Sequence, residues 1–335
     1  MTGIVRIGVL GLGRIGRMHA DLLARDVPGA IVAAVADTDP ETLAAAIERL
    51  RVPGSVDPLD VIKDQNVDAV AICTPTPTHV DLIVAAARAG KPILCEKPVS
   101  LDLDSTDRAL LTVENSGVPL QIGFNRRFDP GHAAVAAAVA DGQIGSPEIV
   151  RISSRDPAPP AIDYLLVSGG IFVDQTIHDF DMARYVTRSE VVAVHAVGSV
   201  RVDPQIGEIG DLDTVAITLR HVNGCLTQID NSRRSVYGFD QRVEAFGSDG
   251  VATSENQPAH GAVIRSVTGG RTAALPRFFL ERYLSSYVNQ WVAFTAAVHD
   301  GSPPAVTGRD ARAALILARS AAESARTGRT IETEQ

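Results

Sequence analysis

Short apolar runs alternate with amphipathic stretches through the first 125 residues. Residues 4–10, 31–36, 67–73, 92–95 and 119–123 read as strands. Residues 14–24, 40–49, 78–89 and 102–114 carry helical spacing between them, the third stopped by Gly90. The run at 67–73 is apolar throughout, the pattern of a strand buried on both faces. Such alternation predicts a parallel sheet covered by helices, a doubly wound α/β domain over residues 1–124.

Past Phe124 the pattern changes. A helix is predicted at 130–140, followed by β-branched runs at 148–153, 191–202, 214–219 and 225–231. Val222-Asn223-Gly224 and Ser248-Asp249-Gly250 separate apolar runs, and turns that need φ > 0 suit Asn-Gly and Asp-Gly. A second, α+β domain with a mostly antiparallel sheet is therefore expected over residues 125–335. Helices at 278–299 and 308–327 close it, the last with Thr307 as N-cap.

Composition narrows the possibilities. Apolar residues make up 45% and charged residues 21%, a globular balance. Aromatics are 4%, so Ala, Val, Ile and Leu must build the core. The net charge of −9 gives no attraction to phosphate backbones, and nucleic acid is not an expected partner. Cys73, Cys95 and Cys225 are odd in number and widely spaced, which predicts neither a disulfide framework nor a metal site. No run approaches ~18 apolar residues, and no leader pattern precedes the first strand, so a cytoplasmic protein without a membrane partner is expected.

The first strand runs into Gly11-Leu12-Gly13-Arg14-Ile15-Gly16, a GxGxxG that opens the first helix. In that setting Gly11 permits a tight turn, Gly13 lets a pyrophosphate approach, and Gly16 lets helix and strand pack closely. Asp37 ends the second strand, 21 residues beyond Gly16, where a carboxylate can accept from both ribose hydroxyls and repel a 2′-phosphate. The predicted cofactor is NAD. Asp39, in the same Asp-Thr-Asp-Pro turn, can cap the next helix. Thr74, Pro75, Thr76 and His79 follow the third long strand, at the carboxyl edge where doubly wound sheets bind ligands, and are further cofactor candidates. Thr78 there could cap the following helix instead.

Glu96 and Lys97 lie at a comparable strand end and join that set; the ammonium of Lys97 could polarise a substrate hydroxyl. Further on, Asp174 and His178 are four residues apart and Asp181 three beyond. On one helix they would form a stripe separated by ~40° and ~60°. An imidazole flanked by carboxylates makes a good general base.

Three segments, GLGRIGRMHA (11–20), AGKPILCEKP (89–98) and GGIFVDQTIHDFDMARY (169–185), resemble the glucose–fructose oxidoreductase/inositol dehydrogenase (Gfo/Idh/MocA) family. The resemblance spans nearly the whole chain. Within the family, SSRDPAPP (153–160) and YGFDQRVEAFG (237–247) are similar to the inositol 2-dehydrogenases. The family resemblance implies an N-terminal Rossmann domain followed by an open-faced, mostly antiparallel second sheet, whose outer face often forms tetramers. It also implies that Lys97, Asp174 and His178 act together: His178 as base for a hydroxyl proton, Asp174 orienting it, and Lys97 binding the reacting oxygen. The expected activity is NAD-dependent oxidation of a cyclic polyol, myo-inositol at its 2-hydroxyl. Alternatives are scyllo-inositol, another inositol or an aldose, or a dinucleotide-sensing regulator without chemistry. Ser168, where many members carry a third glycine, departs from the pattern away from these positions.

A neutral polyol calls for short polar donors and acceptors rather than a clamp for an anion. Asn125, Arg126, Arg127, Asp156, Asp181 and Tyr237 are the substrate candidates, with Tyr283 and Tyr287 weaker ones one helical turn apart. Trp291 reads as core.

Overall fold

Six strands form one wholly parallel sheet: β1 (Val5–Leu10), β2 (Ala30–Ala36), β3 (Gly54–Ser55), β4 (Ala69–Ile72), β5 (Ile93–Cys95) and β6 (Leu120–Ile122). The order is β3-β2-β1-β4-β5-β6, the doubly wound arrangement, whose connection reverses direction between β1 and β4. β4, β5 and β6 have no exposed residue, and apart from the buried Gln121 of β6 their sequences are apolar throughout. Helices α1 (Arg14–Arg25), α2 (Pro40–Leu50), α3 (Pro58–Lys63), α4 (His79–Arg88) and α5 (Leu103–Ser116) connect the strands. β3 and α3 were not anticipated from the sequence; two and six residues are too few to establish a period.

The computed structural model describes residues 3–333. The parallel sheet belongs to a compact unit that runs up to Asn125 and also contains Tyr287–Arg312. The second unit comprises Arg126–Ser286 and the chain from Ala313 onward. The sequence pattern alone gave no sign that a late segment belongs with the first sheet.

In the second unit α6 (Pro130–Ala140), β7 (Pro147–Arg155), α7 (Ile162–Leu165), α8 (Gly170–Asp174) and α9 (Ile177–Thr187) precede β8 (Val191–Ser199). Then come α10 (Pro204–Glu208), β9 (Thr214–His221), β10 (Leu226–Ser232), β11 (Asp240–Gly247) and β12 (Gly250–Ser254). A hairpin of β13 (Val263–Ser266) and β14 (Gly269–Thr272), helices α11 (Phe279–Arg282), α12 (Leu284–Asp300) and α13 (Gly308–Thr327), and β15 (Ile331–Glu332) complete the chain. The large sheet is ordered β12-β11-β7-β10-β9-β8-β15. Only its β7–β10 pair is parallel. Both predicted hairpins form, β9 to β10 and β11 to β12. α6 and α9 cover one face, and β9 alternates buried and exposed residues accordingly.

Four helices begin with Asp-Pro: Asp39-Pro40, Asp57-Pro58, Asp129-Pro130 and Asp203-Pro204. In each the Asp side chain accepts from a first-turn N–H, while the proline supplies a helical φ where its missing N–H costs nothing. Thr307 caps α13 by exchanging bonds with Asp310. The single helix predicted at 278–299 is interrupted at Tyr283, between α11 and α12. Among the described residues no helix is long and apolar enough to cross a membrane.

Asp129 also pairs with Arg282 at 2.5 Å, both side chains buried. Beside it, burial pushes the His132 imidazole down to about 4, against the pull of Asp129 and with the help of Arg282 and Arg126. Between the ordinary imidazole value of about 6.5 and that lowered value, the unfolded chain binds a proton that the folded protein refuses. The stability contributed here therefore falls as pH drops through that window. Urea denaturation at pH 7, 6 and 5 is expected to show His132→Gln gaining on the parent as pH falls; a constant difference would place that proton elsewhere.

Candidate active site

The turn after β1 is shaped by what glycine lacks. Gly11 has φ +85°, and a Cβ there would stand 2.8 Å from the Thr74 backbone. At Gly16 a Cβ would lie 1.8 Å from the Gly11 carbonyl oxygen. Gly13 faces open space, and no side chain caps α1. The positive end of α1 is thus presented to an anion, with Arg14 and Ile15 in its first turn.

The two acids of the β2–α2 turn divide their work. Asp39 caps α2, accepting from Thr42 N at 3.1 Å. Asp37 accepts from Leu12 N at 2.6 Å with one oxygen and from Asp39 N at 2.9 Å with the other. A carboxylate has about four lone-pair sites, so two remain for ribose hydroxyls. The open Gly13 and this acid fit NAD.

After β4, Thr78 donates to Thr74 Oγ1 and the Pro75 carbonyl, at 2.7 and 2.8 Å, so its hydroxyl braces the loop instead of capping α4. His79 departs from expectation. It is 1% exposed, with its ring nitrogens 2.8 Å from the Pro98 and Thr74 carbonyls. The ring therefore ties the Thr74–Thr76 loop to the Glu96-Lys97-Pro98 segment and does not face outward. Burial pushes its pKa below the ordinary value. Lys97 itself is half-buried just beyond β5.

In the second unit the expected Asp174–His178–Asp181 stripe is broken. Asp174 ends α8, and His178 lies in the first turn of α9. Between them Gln175 donates to the Ser154 carbonyl at 3.0 Å and Thr176 to Asn231 Oδ1 at 2.5 Å, anchoring the break to β7 and β10. Tyr164 donates to Asp174 at 2.8 Å, and Arg233 pairs with its other oxygen at 3.0 Å. Arg233 is 0% exposed and also reaches Asp211 at 3.4 Å. Asp211 accepts from Ile171 N at 3.0 Å, which closes the arrangement onto α8. His178 is half-exposed.

The substrate candidates divide. Arg126, 7% exposed, donates to Asp179 at 2.5 Å and Ser154 at 2.8 Å. Arg127 grips both oxygens of Asp181, at 2.8 and 2.5 Å, and Asp181 is 1% exposed. These three form buried ion pairs rather than an open set of donors and acceptors. Asn125, in the first unit, is buried with its amide nitrogen unpartnered. Asp156 keeps part of its surface open beyond β7. Burial raises it to about 6, with Asp174 adding to the rise and Arg126 and Arg233 opposing it.

Tyr237, 51% exposed, lies in a turn and donates to Asp240 at 2.5 Å. Tyr283 and Tyr287 are both buried, and they belong to different units. Arg233, Asp211 and Tyr164 around Asp174, and Asp179 beside Arg126, are not indicated by the sequence reading. A signal existed for Arg233: Thr227, Ile229 and Asn231 are the inward positions of β10, and the same alternation continues to 233.

Comparison with known proteins decides the affiliation. The profile described as "Oxidoreductase family, NAD-binding Rossmann fold" matches residues 5–124, and the GFO/IDH/MocA C-terminal domain matches 132–253. The chain is 47% identical over 332 residues to a myo-inositol 2-dehydrogenase of Thermotoga maritima, covering 99% of each. It is 45% identical over 324 residues to an inositol 2-dehydrogenase of Rhizobium meliloti, covering 96% of each. A scyllo-inositol dehydrogenase of Lactobacillus casei, solved with NAD(H) and scyllo-inositol, superposes with a TM-score of 0.92 at 26% identity, covering 98% of this chain and 99% of that one.

The chain belongs to the Gfo/Idh/MocA family. It is an NAD-dependent oxidoreductase of that family, and the matched NAD-binding domain contains the Gly-rich turn and Asp37.

Asp37→Ser removes the negative charge that opposes a 2′-phosphate. The ratio of kcat/KM with NAD to that with NADP is expected to fall at least about tenfold, equivalent to about 1.4 kcal/mol. Steady-state kinetics with both cofactors measure it, and a parent protein that prefers NADP would remove the role given to Asp37.

Proposed function

We propose that the protein oxidises a cyclic polyol, myo-inositol at its 2-hydroxyl, to the corresponding ketone. The observation that carries this reading is the built environment of Asp174, bonded by Arg233 and Tyr164, with His178 in the next helix. Full-length identity to inositol dehydrogenases supports the substrate class.

In this reading His178 takes the proton of the reacting hydroxyl. Asp174 orients the imidazole and balances the charge it gains, which is the usual advantage of an acid–imidazole pair. Lys97 donates a hydrogen bond to the reacting oxygen and stabilises negative charge as it develops there. Bound NAD supplies the hydride acceptor. Asp156 offers an acceptor for a ring hydroxyl, as a neutral polyol requires. Thr74, Pro75, Thr76 and Glu96 neighbour the cofactor, while Arg126, Arg127 and Asp181 hold the surrounding frame.

We also propose a homotetramer formed through the uncovered face of the second sheet. Val251, Phe246, Ile149 and Leu226 lie directly opposite one another across β12, β11, β7 and β10, an apolar row on that face. Val251, Phe246 and Leu226 are exposed in the single chain.

Initial rates with NAD on a panel of myo-inositol, scyllo-inositol and aldoses are expected to favour myo-inositol; no oxidation of any inositol would end the reading. Lys97→Ala should lower kcat by at least about a hundredfold. The rate of the parent should decline toward acid pH as the imidazole becomes protonated, and a flat profile from pH 5 to 10 would remove the base role of His178. Light scattering should report four chains of 35.4 kDa, and Phe246→Glu should give smaller species.

A further inference from the structure

His19, on the second turn of α1, has no exposed surface. Trp291 Nε1 lies 3.0 Å from its Nδ1, and Glu96 Oε1 lies 2.8 Å from its Nε2. An indole N–H can only donate, so Nδ1 must accept. The imidazole is then neutral, with its proton on Nε2 aimed at the Glu96 carboxylate. Tyr287 and Trp291 stand edge-on to the ring, with centroids at 5.5 and 5.6 Å.

The receiving end is equally constrained. A Cβ on Gly123, just past β6, would stand 2.7–2.8 Å from the Glu96 carboxyl atoms. Gly123 N donates to the Cys95 carbonyl at 2.8 Å, which holds the ends of β5 and β6 together under that carboxylate. Three elements therefore converge on Glu96, α1 and the carboxyl ends of β5 and β6, while α12 backs the His19 ring through Trp291. The next residue in the chain is Lys97. A surface glutamate needs no such enclosure.

We propose that His19 is a positioning residue for Lys97. The relay from Trp291 through His19 to Glu96 fixes the Glu96 side chain, and with it the backbone on which the lysine stands, relative to the helix that opens the dinucleotide site. The argument rests on the role proposed above for Lys97. A misplacement of about 1 Å can cost about a hundredfold in rate, so a fixed backbone is worth this much structure.

The test uses the full-length protein with His19→Leu, which can neither accept nor donate, and His19→Gln, which can do both. His19→Leu is expected to lower kcat about thirtyfold or more, with KM for NAD within about threefold of the parent, and His19→Gln to recover to within about fivefold. Trp291 is the single tryptophan, so its emission should shift in His19→Leu and return in His19→Gln. Trp291→Phe keeps an aromatic ring but removes the donor and should lower kcat about tenfold; it decides the matter if His19→Leu does not fold. A folded His19→Leu at the parental rate, a loss confined to KM for NAD, or a His19→Gln no better than His19→Leu would overturn the inference. Lys97→Ala is assayed alongside. If it retains the parental rate, the reading of Lys97 fails; if it is inactive while His19→Leu is not, only the positioning role fails.

Discussion

Close contact between the first turn of α1 and the strand that feeds it is the constraint on which the nucleotide unit depends. Gly16 sits so near the Gly11 carbonyl that one methyl group would force helix and strand apart. Everything downstream inherits that distance. α1 can then deliver His19 to Glu96, and its amino end remains open for an anion. Leu12, inside the same turn, is near enough to bond with Asp37. Helix packing, the open amino end of α1 and the meeting of His19 with Glu96 share one geometric origin.

The second unit is organised around buried charge. Arg126, Arg127, Arg233 and Arg282 are paired with Asp179, Asp181, Asp174 and Asp129 inside or at the edge of its core. Burial pushes Asp179 up, and Arg126, Ser154 and Asn231 oppose that rise. Such pairs add little net stability over apolar residues of the same size, but removing one partner is expensive. Their effect is to exclude alternatives. A shift of α9 along its axis would strand Asp179 and Asp181 away from their guanidinium partners.

The parallel sheet was legible because burial on both faces writes continuous apolar runs, and its Gly-rich turn is a local sequence feature. The two hairpins of the second sheet were legible for the same reason. Less local facts were not. The break between α8 and α9 depends on Thr176 meeting Asn231, 55 residues further on, and nothing near position 176 announces it. Asp181 reads as an available acid until Arg127, 54 residues earlier, takes both of its oxygens. Tyr283 and Tyr287 look like a pair on one helix, yet an interruption at Tyr283 gives them separate surroundings. His79 was placed at the correct edge of the sheet, but the two carbonyls that occupy its ring come from loops whose approach only the fold creates.

Asp37 joins two properties that are usually discussed separately. The oxygen that bonds Leu12 N belongs to the acid to which the choice between the two nicotinamide dinucleotides is assigned above as a testable role. A descendant of this protein adapting to the phosphorylated coenzyme would therefore have to supply a fresh acceptor for that amide while discarding the charge. Under the role given to Asp37, coenzyme choice and loop order reside in a single side chain and are inherited as one trait.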